Sequence, residues 1–471
     1  MAAVVGVDSS TSACKVLVRD IETGKVLASG RAPHPPTTPP RSEQHPHEWE
    51  SALRAALAGA GVPEAQKPDA VAVGAQQQGL VVLDQAGEVL RPAKLWNDTE
   101  SAEDADALVA DLPGGSPAWA QACGSVPLAG FTITKLRWLA RHEADTFARV
   151  ASVLLPHDWL TFRLSGRQVT DRGDASGTGY WSPREERYRI DLLELVDPDV
   201  DWLARLSEVS SPDTAIGEWT GNGALVAPGT GDNMAAGLGL GLRHGDLVLS
   251  LGTSATAFMM SDQPAADPTG TVAGFADATG HYLPLVCTMN ATKVTETVAR
   301  LLGVGHGRFD ELALKSPPGA RDLVLVPHLD GERTPNRPAA AGTMLGIRND
   351  VEPAHLARAA VEGVVCNLLA GADSLGPTPG RVFLIGGGAH SAAYRQVVAD
   401  LTGCAITVPE EGELVATGAA VQAAGVHLGR RFGDVADAWG LGAGQVVEPD
   451  ARVDGAAIRA AFAAATASCD R

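Results

Sequence analysis

Ala3-Val4-Val5-Gly6-Val7-Asp8-Ser9-Ser10-Thr11-Ser12-Ala13-Cys14-Lys15 and, past mid-chain, Leu247-Val248-Leu249-Ser250-Leu251-Gly252-Thr253-Ser254-Ala255-Thr256-Ala257 read alike. In each, an apolar run enters a turn containing Thr-Ser-Ala and leaves as a second apolar run, which predicts a hairpin. Each hairpin opens roughly half of the 471 residues, as duplication of one domain would leave it. The first half continues with strands predicted over 3–8, 14–20 and 25–31, and Pro33 to Pro40 forms a surface loop because proline lacks the amide donor. Farther on, apolar strands (71–73, 321–326, 381–385) alternate with Ala/Leu helices such as 352–372, the pattern of an α/β fold with a covered sheet. The expected domains are 1–242 and 243–471.

Composition excludes several classes of function. The 56 acidic residues outnumber the 37 basic ones, and a net charge of -19 would repel a nucleic-acid backbone. No apolar run is long enough to span a bilayer, and Met1 to Ser10 lacks the pattern of a signal peptide, so a cytoplasmic location is expected. The six cysteines show no CxxC spacing and read as reduced thiols, mostly core-filling. Neither GxxxxGK[ST] nor GxGxxG occurs, so phosphates must be held by another device. The twin Thr-Ser turns suit that task, since successive inward amides and hydroxyls form anion-binding nests.

Other segments carry polar groups where a ligand could use them. Strand 224–227 leads through Pro228-Gly229-Thr230-Gly231 to Asp232-Asn233 and a small-residue helix over 234–240. Taken alone, Asp232 is an N-cap acceptor; beside those glycines it is also placed to take a proton from a substrate hydroxyl. Asp8, ending the first strand, is either a turn acceptor or a ligand near a metal that bridges phosphates. Strand 382–385, Gly386-Gly387-Gly388-Ala389 and helix 391–401 place a glycine turn at a helix N-terminus, where a nucleotide could meet bare backbone. Gln76-Gln77-Gln78-Gly79 and Leu95-Trp96-Asn97-Asp98 offer the amides, indole and carboxylate of a sugar pocket, or satisfied polar turns.

As a set, these residues resemble the FGGY carbohydrate kinases, and within them the xylulokinases. The resemblance spans nearly the whole chain. It is carried by Gly130-Phe131-Thr132-Ile133-Thr134-Lys135-Leu136-Arg137-Trp138-Leu139 and by Gly342 to Glu362 with Gly346-Ile347 and His355-Leu356. Leu95 to Asp98, Leu154 to Asp158, Asp174 to Thr178, Gly231-Asp232-Asn233, Ser250 to Ser254, Gly331 to Pro335 and Gly386 to Ala389 follow the same order.

The resemblance implies two actin-like, ribonuclease-H-like ATPase domains closing over an interdomain cleft, with the last helix a candidate to return to the first domain. It implies transfer of phosphate from ATP, with Mg2+, to D-xylulose, and a homodimer is in keeping with it. By likeness Asp232 is the catalytic base, and Asp8 acts near magnesium and the phosphates. Gln77, Gln78, Trp96 and Asn233 join Asp232 at the sugar. Thr11, Ser12, Lys15, Gly252, Thr253 and Ser254 hold phosphates, and Gly387, Gly388 and Ala389 meet adenosine. Two positions depart from the pattern. Ser10 and Ala13 stand where glycine is common, which stiffens the first turn. Gln78 replaces a histidine, which leaves another ketose or a polyol such as ribulose or glycerol as an alternative substrate. A non-catalytic actin-like ATP-binding protein is the alternative from a different class.

Overall fold

The computed structural model describes residues 2–62, 68–376 and 380–469. The chain forms two compact units. The first comprises Met1–Leu242, Ser261–Leu283 and Glu411–Gly442; the second comprises Arg243–Met260, Pro284–Glu410 and Ala443–Arg471.

In the first unit, β1 (Ala3–Ser9), β2 (Ala13–Asp20) and β3 (Val26–Pro33) form an antiparallel meander. On the other side of β1 lies parallel β4 (Ala70–Ala75). Beyond it, β5 (Gly217–Glu218) pairs antiparallel with β6 (Leu225–Val226), which runs parallel to β4, as does β7 (Thr230–Gly231). Apolar side chains of this sheet pack against α1 (Pro46–Gly59), whose Trp49, Leu53 and Ala56 are buried. Also in this unit are α2 (Thr132–His142), α3 (Pro156–Ser165) and α4 (Asp232–Gly239).

The second unit repeats the pattern. Its strands are β8 (Leu247–Leu251), β9 (Ala255–Met259), β10 (Tyr282–Thr288), β11 (Val382–Ile385), β12 (Ile406–Pro409) and β13 (Gly444–Val447). From β10 to β13 the order is β10-β9-β8-β11-β12-β13, with pairings antiparallel, antiparallel, parallel, parallel and antiparallel. The first sheet, read β3-β2-β1-β4-β6-β5, has the same sequence of pairings. The two Thr-Ser turns therefore occupy equivalent places, between the first two strands of each repeat. Helices α5 (Thr292–Leu302), α6 (Pro353–Ala372) and α7 (Ala392–Thr402) belong to this unit.

Two expectations need correction here. Residues 321–326 are not one strand: Ala320, Arg321 and Asp322 have φ of 46°, 57° and 68°, a left-handed turn that postpones the strand to Val324. The glycines at 386–388 do not abut a helix directly, because a 3-10 turn over Gly387–His390 intervenes and Ser391 caps α7.

The helix that returns from late in the chain to the first unit is α8 (Leu414–Leu428), whereas α9 (Gly455–Ser468) packs within the second. The contacts of α8 are backbone to backbone. A Cβ built on Gly6 of β1 would lie 1.8 Å from Ala416 O, and one on Gly418 would lie 1.7 Å from Ala235 O of α4. Only glycine allows such an approach, and the obstructing atoms are main chain with no rotamer to move. Gly6→Ala should therefore destabilise the protein at or beyond the upper end of the ~1–3 kcal/mol typical of overpacking. Gly307→Ala, whose added methyl meets nothing within 4 Å, should not. Urea denaturation of both variants checks this.

Candidate active site

β1 ends in a buried carboxylate. Asp8 faces Lys15 across the hairpin, and Lys15 Nζ lies 3.5 Å from Asp8 Oδ2 and 2.7 Å from Glu413 Oε2. Lys15, expected at the nucleotide, thus joins Asp8 to the end of α8. Burial pushes the Asp8 carboxyl up to about 6, against the attraction of Lys15 and with some help from Glu413. Asp8 Oδ1 is buried without a hydrogen-bond partner among the described residues. A hard cation prefers such an oxygen, so the residue expected at magnesium fits that group chemically.

The turn after β1 is closed by Ser10 N donating to Ala13 O at 3.0 Å. Among the described residues, no protein acceptor meets the amides of Thr11 and Ser12, which leaves both for an anion. The Thr11 hydroxyl is engaged: it accepts from Trp96 Nε1 at 2.9 Å and donates to Gln76 Oε1 at 3.3 Å. The turn expected at the phosphates is in this way tied to both expected sugar segments.

Asp232 is the first residue of α4, and Gly231 takes the N-cap position that Asp232 would have filled on the simpler reading. Its Oδ1 accepts from Asn233 N at 2.8 Å and Asn233 Nδ2 at 2.9 Å, while Asn233 Nδ2 also donates to Gln77 Oε1 at 2.9 Å. Desolvation pushes the Asp232 carboxyl up to about 7, with the negative charges of Asp8 and Asp174 adding and the Asn233 amide opposing. As a residue Asp232 is half-buried, while its carboxyl is turned into the protein, where burial acts on it. Asp232, Asn233 and Gln77 are therefore one connected group.

Gln78 stands beside it in a left-handed conformation, φ 63°, uncommon for a residue with a side chain. Its carbonyl accepts from Thr132 Oγ1 at 3.2 Å, and its side chain lies against Gly130 and Gly177. Strain of this kind clusters at functional sites. The loop before α2 is held from beneath by Lys135, whose Nζ donates to the carbonyls of Ala129, Gly130 and Phe131. Trp96 keeps 39% of its surface exposed, unusual for an indole already hydrogen-bonded to the protein.

A buried cluster near this group was not singled out from the residues alone. His157 Nδ1 lies 2.7 Å from Asp174 Oδ2, and Nε2 lies 3.1 Å from Asp158 Oδ1 and 3.6 Å from Asp171 Oδ1. Burial would strip the proton from this imidazole, but Asp158, Asp174 and Asp171 outweigh it and push His157 up to about 9. In the sequence the cluster was touched only by two of the resembling stretches, Leu154 to Asp158 and Asp174 to Thr178, which gave these residues no role, and Glu413 offered no signal. Glu43, Asp98 and Glu100 also converge, as a cation site would, but the Lys94 ammonium sits among them, 3.3 Å from Glu43, 3.2 Å from Asp98 and paired with Glu100.

In the second unit, the turn between β8 and β9 is closed by Gly252 N donating to Ser254 O at 2.9 Å, and Gly252 O accepts from Thr292 N of α5 at 3.0 Å. Of the three glycines after β11, Gly386 is required by its φ of 85°, and a Cβ on Gly388 would lie 2.7 Å from Leu251 Cβ. Gly387 has neither reason: a Cβ there meets nothing within 4 Å. Ala389 follows in the 3-10 turn and is buried. All six cysteines are free, and burial raises Cys123 and Cys366 to about 12, which suits core thiols.

Residues 3–239 match the N-terminal domain, and residues 247–425 the C-terminal domain, of the FGGY family of carbohydrate kinases. The chain belongs to this family. A xylulose kinase from Streptomyces coelicolor is 47% identical over 453 residues, covering 94% of this chain and 92% of that protein. One from Haemophilus influenzae is 32% identical, covering 89% and 90%. The crystal structure of xylulose kinase from Bifidobacterium adolescentis superposes with a TM-score of 0.87 at 39% identity, covering 99% of each chain. Plasmodium falciparum glycerol kinase, solved with ADP, is 17% identical over 100% of this chain and 98% of its own, with a TM-score of 0.87, and shares the fold. The protein is thus an FGGY carbohydrate kinase of the xylulokinase type with two actin-like domains, and ATP is its nucleotide substrate. Among the described residues, no helix is long and apolar enough to cross a membrane.

Because the fold does not require glycine at 387, Gly387→Val should keep the parent's melting temperature. It should weaken ATP binding by tenfold or more, measured by calorimetric titration of the folded protein.

Proposed function

We propose that this FGGY kinase transfers the terminal phosphoryl group of ATP to a hydroxyl of D-xylulose, giving D-xylulose 5-phosphate, with Asp232 as general base. The observation that carries the assignment of the base is the setting of Asp232. A carboxyl that burial pushes up to about 7 sits at a helix start, its orientation fixed by Asn233 and, through Asn233, by Gln77. Phosphoryl transfer asks little covalent chemistry of a protein: positioning, neutralisation of phosphate charge and removal of the hydroxyl proton. Asp232 takes the proton while Asn233 holds its Oδ1 in place. Gln77, Gln78 and Trp96 orient the sugar. The amides of Thr11 and Ser12, and the Gly252-Thr253-Ser254 turn, bind phosphate oxygens, and the backbone of Gly387, Gly388 and Ala389 lies along the adenosine.

A magnesium ion, when bound, would neutralise phosphate charge beside Asp8, whose unpartnered Oδ1 suits it. The same reading places the enzyme in the cytoplasm, with a homodimer as the form to look for by analytical ultracentrifugation. D-Xylulose is supported by relatives that are themselves xylulose kinases. Gln78 favours one further reading, a preference shifted toward another ketose or a polyol, because glutamine and histidine present their donors at different places.

Asp232→Asn keeps the acceptor for Asn233 and removes the base, so phosphorylation should fall by about 100-fold or more with folding unchanged. A coupled ADP-release assay over a panel of ketoses and polyols reads both this loss and the preferred sugar. A carboxyl accepts a proton only when ionised, so the parent's kcat/KM should rise with pH through about 7, the value to which burial pushes Asp232. An active Asp232→Asn enzyme with the same pH limb would remove the assignment. Gln78→His should change the ratio of kcat/KM for D-xylulose to that for D-ribulose. The expected size is that of ~1–3 kcal/mol per unmatched polar group, or several-fold to about 100-fold. An unchanged ratio would take Gln78 out of the specificity site.

A further inference from the structure

The loop that delivers Asp232 is gripped from behind. Gly229, at φ 79°, is packed so that a Cβ on it would lie 3.0 Å from His157 Cδ2 and 2.5 Å from Val73 O. Thr230 Oγ1 donates to Asp171 Oδ2 at 2.7 Å, and Asp171 also accepts from Gly173 N at 2.8 Å and Asp174 N at 3.0 Å. Asp158 is fixed by Leu155 N at 2.8 Å. His157, Asp171 and Asp174 are fully buried and Asp158 nearly so, and His157 stands between the three carboxylates, hydrogen-bonded to Asp174 and within ion-pair reach of Asp158 and Asp171. Three buried carboxylates this close repel one another, and the imidazolium is the cation among them. Without it their mutual repulsion would loosen the contacts that hold Gly229 and Thr230.

We propose that His157 is a positioning residue for Asp232: by holding Asp158, Asp171 and Asp174 together it fixes the Gly229-Thr230-Gly231 strand, and so the place of the base at its end. The inference rests on the reading of Asp232 as base. His157 touches no reacting atom. Its effect passes through Asp171 and Thr230 to the backbone of Asp232, and the Asp174 turn reaches Gly177, which lies against Gln77 and Gln78. The whole chain of contacts lies within the first unit, whereas the groups assigned to adenosine belong to the second.

The test compares the parent with His157→Gln, His157→Lys, Thr230→Val and Asp232→Asn for melting temperature, kcat, and KM for sugar and for ATP. His157→Gln, which removes the cation, should lower kcat tenfold or more while leaving KM for ATP within twofold. His157→Lys, which restores a cation, should recover most of that loss. Thr230→Val breaks the grip without changing charge and should lower kcat severalfold, again with KM for ATP unmoved. A merely structural His157 would lower the melting temperature and leave kcat of the folded fraction at the parent's value, and that result overturns the proposal. If His157→Gln does not fold, Thr230→Val decides alone, and a parent-like kcat in that variant also overturns it. An inactive Asp232→Asn beside a parent-like, folded His157→Gln leaves the base in place and removes only the positioning role. An active Asp232→Asn removes the reading beneath both.

Discussion

The close backbone packing of α8 on β1 and α4 is the constraint on which the first unit depends. Asp8 ends β1 and Asp232 begins α4, so both carboxylates sit on elements pressed against one helix. The small residues that make this contact, Gly6, Gly418 and Gly239, leave no side chain to absorb a displacement. From the same helix, Gln422 accepts from Gly229 N at 3.0 Å and donates to Gly229 O at 3.2 Å, which steadies the approach to Asp232. Just ahead of it, Glu413 reaches Lys15, and Glu411 reaches the buried Arg19, which also bonds Thr417 Oγ1 at 2.6 Å. Polar ties therefore fix the register that the glycine contact permits.

With that frame set, the electrostatics of the site follow from enclosure. Burial raises the cost of ionising Asp232, and the negative charges of Asp8 and Asp174 add to it. The outcome is a division of labour. Asp8 is partly relieved by Lys15, whereas Asp232 has no cation of its own among the causes acting on it and is pushed highest of the two. A carboxyl poised near neutral pH is what general-base chemistry wants, and here it arises from placement rather than from any unusual residue type.

Much of this was legible in the sequence. The twin Thr-Ser turns announced the two hairpins, and the structure extends that likeness to the full order and direction of both sheets. Asp232, Asn233 and Gln77 were singled out and do form one connected group. What was hidden is long-range. Nothing local in Glu413 says that it meets Lys15, 398 positions away. The Ala/Gly run of α8 gives no strong periodicity, since its value lies in the absence of side chains. His157 stood in one of the resembling stretches, Leu154 to Asp158, but only the fold brings it to Asp171 and Asp174, which share a later turn of the chain. The N-cap reading of Asp232 misplaced the helix by one residue, a distinction set by backbone dihedrals that side-chain identity does not encode.

The return of α8 to the first unit also orders events during synthesis. Ribosomes release the chain from its N-terminus, so β1 and α4 emerge long before the helix that covers them. Until residues 411–442 follow, the faces around Gly6 and Ala235 lack their cover. The nascent first half must wait in an incomplete state while the second unit is translated. The length of that interval is fixed by chain topology rather than by the stability of the finished fold.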